Sequence, residues 1–140
     1  MRILPTILVI FSFNSIACSF PERSDSEIFN DAKKVFRAKI IATELATEIH
    51  DGEKVEVILA TYQLVESYKG DLPKKGKVKE LPFGPGNCMV GLMTGLEYVI
   101  YLEEHDFVTL PSGSWGFFNS EGKDVAQKLE KLKGLAENGI

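Results

Sequence analysis

From Val35 onward the chain alternates. Val35, Arg37, Lys39 and Ile41 fall on one parity, while Phe36, Ala38, Ile40 and Ala42 fall on the other. The second set is the apolar one, so it predicts a strand with that face toward a core. Asp51-Gly52 ends this stretch and marks a hairpin turn. On the return, Val55, Val57 and Leu59 share one side, then Tyr62, Leu64 and Tyr68 share the other. That parity change predicts a bulge or bend near Ala60-Thr61. A second hairpin follows, with LPKKGK (72–77) as its turn and Val78 and Leu81 in the returning strand. LEYVIYL (96–102) is the clearest late strand, and Phe107 to Leu110 a shorter one.

Helical spacing is confined to the ends of this β-rich stretch. Ser24 or Ser26 can cap a short helix that carries Ile28, Phe29 and Ala32 toward a core. Residues 123–136 place Val125, Leu129, Leu132 and Ala136 on one face, with Asp124 in the first turn and Lys131 and Lys133 in the last. PFGPGNC (82–88) has too many prolines and glycines for strand or helix and reads as a shaped loop. PSGSWGFFNSEG (111–122) also reads as a loop. Its Trp115, Phe117 and Phe118 either form a contact patch or fold over the end of a barrel. The order of elements predicts a mainly β fold: a five-stranded, OB-like antiparallel barrel with flanking helices, one of them C-terminal.

The first residues do not fit that fold. ILPTILVIF (3–11) is apolar but short for a bilayer, Arg2 supplies the positive end, and Ser15-Ile16-Ala17 suits a signal peptidase. Residues 1–17 therefore read as an export signal, and 18–140 as one domain. Removing the signal leaves 15 basic residues against 20 acidic, a formal charge of about −5. That balance disfavours a nucleic-acid partner, whose affinity would come from phosphate neutralisation. Five lysines lie between Lys69 and Lys79, and a charged hairpin guarding a sheet edge accounts for them.

Export also changes the meaning of the two cysteines, Cys18 and Cys88, because an oxidising compartment preserves disulfides. Ala17-Cys18 equally matches the end of a lipoprotein signal, in which a diacylglyceryl thioether would consume the Cys18 sulfur. Both readings stand at this point. The expected location is extracellular or periplasmic, with a membrane anchor only if Cys18 is lipidated. His50 and His105 each stand next to acids, but without a closely spaced ligand cluster they read as solvated surface residues. There is no nucleophile elbow, and GPG before Cys88 lacks the lysine of a phosphate loop. The expectation is a protein that is not an enzyme and needs no cofactor.

Taken in order, Cys18-Ser19, VFRAKI (35–40), YQLVESYKG (62–70), GPGNC (84–88) and GLEYVIYL (95–102) resemble the netrin-like domain shared with tissue inhibitors of metalloproteinases, especially its bacterial members. The likeness runs from Cys18 to about Leu102. It implies an OB-like barrel and a Cys18–Cys88 disulfide. The family's second bridge is absent on both sides: Phe20 stands at its first position, and the segment after the last strands, with Trp115, Phe117 and Phe118, holds no cysteine. Inhibitor members chelate a protease zinc with the amine and carbonyl of the first cysteine. The resemblance thus implies Cys18 as a ligand to a zinc held by another protein, with Ser19 entering the specificity pocket and Asn87-Cys88 supporting the wedge. Phe20, Pro21 and the turn His50–Glu53 become secondary contacts. The implied partner is a zinc metalloprotease or another extracytoplasmic protein. The alternative role is a lipid-anchored or periplasmic adhesion or scaffold module without protease inhibition.

Overall fold

In the computed structural model of the chain, residues 18–138 are described, and the export signal expected at 1–17 lies outside them. Helix α1 (Asp25–Asp31) comes first. It starts at Ser24 because a complete capping box forms there: the Glu27 N–H donates to Ser24 Oγ, and the Ser24 N–H donates to the Glu27 carboxylate. The Ser24 hydroxyl also donates to the Glu27 carboxylate (2.7 Å), and this bond, with that from the Ser24 N–H, holds the Glu27 carboxyl below its ordinary range. α1 buries Phe29, with Ala32 following it, and Lys69 caps its far end by donating to the carbonyls of Phe29 and Asn30.

Two long strands, β1 (Lys34–His50) and β2 (Glu53–Lys69), form the spine, joined by Asp51-Gly52 with both residues at positive φ, as that turn requires. β3 (Lys75–Glu80), β4 (Glu97–Leu102) and β5 (Trp115–Phe117) complete an antiparallel sheet in the order β3-β2-β1-β4-β5. The expected mainly β, five-stranded fold with helices at its flanks is present. The sheet itself is not closed. The connection after β4 returns to β3 at a single parallel bridge, where Lys79 N–H donates to Asp106 O and Val108 N–H donates to Lys79 O (2.7 Å each). The short strand expected over Phe107 to Leu110 is reduced to this bridge.

The parity change in β2 has a different origin from the one expected. β2 carries no insertion between Val57 and Tyr62; Ile40 faces Tyr62 and Ala42 faces Thr61, so the extra residue is Ile41 in β1. The bulge sets Ala42 opposite Thr61, on the other face from Ile40 and Tyr62, and Ala42, expected in the core, is exposed. The second hairpin is tighter than expected, with Lys75 already in β3 and Leu81 beyond its end. Within the loop expected at 111–122, Trp115–Phe117 pairs with β4 as an edge strand. Its middle residue must be glycine, since a Cβ on Gly116 would lie 2.4 Å from the Tyr98 ring.

Both faces of the sheet are covered, and β4 shows this most directly. Tyr98, Ile100 and Leu102 point into a core with Phe36, Ala38, Ile40, Ala60, Tyr62 and Val78. Val99 and Tyr101 point the other way, into a second core with Val35, Tyr68 and Phe117. Helix α2 (Lys123–Asn138) covers this second core with Leu129 and Leu132, each worth about 2 kcal/mol of burial. α2 runs past Ala136, so Lys131 and Lys133 are not in its last turn. They pair instead with Asp25 (2.6 Å) and Glu66 (3.8 Å). Among the described residues no helix is long and apolar enough to cross a membrane.

Candidate functional site

The segment from Leu81 to Leu96 carries little regular structure, yet it is tied down at many points. Asn87 closes the PFGPGNC turn from within: its N–H donates to Gly84 O (3.3 Å) and its side-chain amide to Pro82 O (2.7 Å). Cys88 follows at φ +43, an uncommon conformation for a residue with a Cβ. Its carbonyl accepts from the Leu110 N–H (2.9 Å), which joins this loop to the one after the parallel bridge.

Beyond Cys88 the chain wraps around a buried carboxylate. Glu80, at the end of β3, is 1% exposed, and its Oε2 accepts from the N–H groups of Val90 (3.1 Å) and Gly91 (3.0 Å). Its Oε1 accepts from the Leu92 N–H (2.5 Å). Gly91 at φ +83 lets three successive N–H groups converge, an anion-binding arrangement here filled by the protein's own side chain. Tyr98 adds a second anchor by donating to Gly91 O (2.8 Å) and accepting from the Met93 N–H (2.9 Å). Burial pushes the Tyr98 hydroxyl above its ordinary pKa, so it stays protonated and able to donate.

Onto this braced loop the structure sets the N-terminal arm. Cys18 and Cys88 are at disulfide distance, with Cα atoms 5.6 Å apart. Cys18, Ser19, Phe20 and Pro21 are exposed, and Asn87 and Cys88 are half-buried. Phe20 and Pro21 line one shallow groove with Ile28, Leu110, Pro111 and Gly113. Exposed apolar side chains cluster on these same segments: Phe20 (49%), Leu110 (40%) and, from the Cys88 loop, Phe83 (92%). Cys18, Ser19, Phe20 and Cys88 are thus placed on two joined segments. Asn87 shapes the loop through its own backbone contacts.

The turn His50–Glu53 sits at the far end of the β1–β2 hairpin. There His50 stacks edge-on against Phe107 (5.7 Å), and it lines a groove with His105, Glu104 and Asp106. Both histidines are exposed, and no group of three or more metal-ligating side chains comes together among the described residues. Several lysines of the charged hairpin are engaged. β3 is an edge strand, Lys77 reaches Glu44 (3.5 Å) and Lys79 reaches Glu48 (2.8 Å). The aromatic trio divides: Phe117 is buried, Trp115 is half-buried beneath Lys128, and Phe118 is exposed.

Glu80, Tyr98 and Phe83 were missed by sequence reasoning. Glu80 had a readable signal, because KGKVKE alternates and puts Glu80 on the same side as Val78, an acid where an apolar residue belongs. No protein-family model and no curated protein matches this chain.

Proposed function

We propose that this chain is an exported, non-catalytic netrin-like binding protein that inhibits a zinc metalloprotease through the mature N-terminus at Cys18. The observation that carries the reading is the Cys18–Cys88 pairing, which fixes an exposed Cys18-Ser19-Phe20 arm to a loop held by Glu80, Tyr98 and Asn87. A binding edge must be rigid before it meets its target, because ordering on contact would consume the gain.

The chemistry follows from processing after Ala17. The new α-amine has an ordinary pKa near 8, so it is mostly protonated at neutral pH and releases its proton as it binds the metal. Its nitrogen and the Cys18 carbonyl oxygen then form a small chelate ring on the protease zinc and displace the catalytic water. Ser19 enters the adjoining pocket, and Phe20 with its apolar neighbours covers surface beside it. The Cys18 sulfur cannot serve a disulfide and a lipid thioether at once, so the same pairing favours a protein without a lipid anchor.

The test compares protein that begins at Cys18 with protein carrying one added alanine before it, across a panel of zinc proteases. Loss of one of the two zinc ligands predicts weakening of about a hundredfold or more. Equal inhibition by both forms, or none by the first, refutes the mechanism. A non-protease partner that binds both forms equally would point instead to an adhesion or scaffold module. Intact-mass analysis of the exported protein checks the prerequisite: an unmodified Cys18 amine and a gain of about two daltons on reduction.

A further inference from the structure

The β1–β2 hairpin runs beyond the rest of the sheet. β4 pairs with β1 only from Lys34 to Lys39, and the last backbone bonds on that side are those of Ile40 with Gly95 and Leu96. Among the described residues, β1 from Ala42 to His50 is paired on one side alone, with β2. β3 covers β2 from Ile58 to Gln63, which leaves a second open edge at Glu53–Val57.

The two edges are built differently. That of β2 reads EKVEV, short and charged, in the manner that discourages pairing. That of β1 reads ATELATEIH, longer and free of proline and lysine. Leu45 (62% exposed) and Ile49 (71% exposed) stand on one face with Thr47 between them. Its two carboxylates, Glu44 and Glu48, already meet Lys77 and Lys79. A long, apolar-sided edge free of proline and lysine is half of an antiparallel ladder.

We propose that a second copy of this chain supplies the other half, as a two-fold antiparallel pairing with Thr47 opposite Thr47 of the second copy. Directly opposite residues share a face, so two-fold registers centre on a residue, and the neighbouring centres can be compared. Centring on Leu45 drives the second strand into Thr94, whose hydroxyl meets that of Thr43 (3.4 Å), and into the bonds at Ile40. Centring on Ala46 sets Glu44 against Glu48, and centring on Glu48 sets that residue against itself; like charges opposed in this way are unfavourable. Centring on Thr47 sets Leu45 against Ile49 twice, Glu44 against His50, and Ala46 against Glu48. It pairs every residue from Glu44 to His50 and stops one short of the Thr43–Thr94 contact. The apolar pattern, the charges and the length of open edge select the same register.

A single shared edge with few apolar anchors belongs to the weak class of interfaces, with a dissociation constant in roughly the 10–100 μM range. Sedimentation velocity of the purified protein from about 1 to about 500 μM spans that range. The expected result is a monomer–dimer equilibrium, weakened at least about tenfold by the pair Leu45→Lys and Ile49→Lys, which place lysine opposite lysine. Both side chains are exposed, so an unchanged thermal midpoint certifies the variant's fold. The register is read separately by cysteine cross-linking. Thr47→Cys should form a 47–47 disulfide under mild oxidation, because directly opposite Cα atoms lie within bonding range, and Ala46→Cys or Glu48→Cys should lag behind it. A protein that stays monomeric throughout overturns the proposal and leaves the edge to solvent or to a strand from another protein. A dimer indifferent to the two lysines, or cross-linking that favours another position, overturns it equally.

Discussion

Replacing Glu80 by glutamine changes the shape of the side chain very little and tests what braces the Cys88 loop. The carboxylate accepts three backbone N–H groups, two at one oxygen and one at the other, and almost none of it reaches solvent. Glutamine has one accepting oxygen. Placed toward Val90 and Gly91 it keeps two bonds, now without charge assistance, and turns its NH2 toward the Leu92 N–H. Placed the other way it keeps one bond and opposes two donors. The better placement leaves one buried donor unpaired, at about 1–3 kcal/mol, and weakens two bonds by about half. The total is about 3 kcal/mol, against whole-domain stabilities of about 5–15 kcal/mol. In urea that is a midpoint lowered by roughly 1–3 M at unchanged slope. Native-state hydrogen exchange supplies the local check: the Leu92 amide should lose protection while amides of β4 change only by the global amount. The reasoning has a clear opponent. Burying a carboxylate costs desolvation that can match what its hydrogen bonds return, and replacing such a group is sometimes neutral or stabilising. A glutamine variant with the same or a higher urea midpoint would show that this cost wins, and that Glu80 does not brace the loop.

Two further outcomes follow from the same structure. Cys18 and Cys88 are 70 positions apart, so cutting their bond by a double serine substitution should cost about 4 kcal/mol from restored freedom of the unfolded chain, read as a lower urea midpoint; a change under about 1 kcal/mol would refute that account. All four tyrosines, Tyr62, Tyr68, Tyr98 and Tyr101, are shifted upward, each chiefly by burial, with Tyr101 raised to about 12. Their protonated forms belong to the folded state, so the associated stability is complete below about pH 10, where unfolded tyrosine ionises, and is lost as pH rises above it, for Tyr101 through about 12. Absorbance titration of the native protein should therefore show no phenolate step at pH 10, and a full step there would contradict the packing.

What was legible in the chain was whatever repeats with a short period. The hairpin at Asp51-Gly52, the β4 strand and the face of α2 all declare themselves through neighbouring residues, and each is found close to where the pattern puts it. The misplacements share one cause. Ala42 fits the alternation and is nevertheless exposed, because Ile41 is inserted against a partner strand whose register cannot be read from β1 alone. Trp115-Gly116-Phe117 reads as loop because three residues are too few for a period. It is held as strand by pairing with Glu97–Val99 and by a gap that only glycine fits beneath Tyr98. In both cases the deciding contact lies far away in sequence.

The cysteine loop shows the same dependence in its sharpest form. GPGNC announces a shaped turn, and Asn87 does close it locally. What shapes Val90 to Met93, however, is Glu80 from the edge strand and Tyr98 from the far side of the loop. An isolated peptide of residues 82–93 would keep its prolines and glycines and lose those bonds, so the loop's form belongs to the sheet. The sheet in turn depends on the loop, since without its three N–H groups β3 would end on a buried, unpaired carboxylate. The two therefore form together or not at all. If the exposed N-terminal arm works as a binding edge, its rigidity is set in part by Glu80 of β3, outside the arm itself. A loss of binding in Glu80→Gln restored by a partner-saturating concentration would identify lost preorganisation. A loss that no concentration restores would mean that the edge itself had been taken apart.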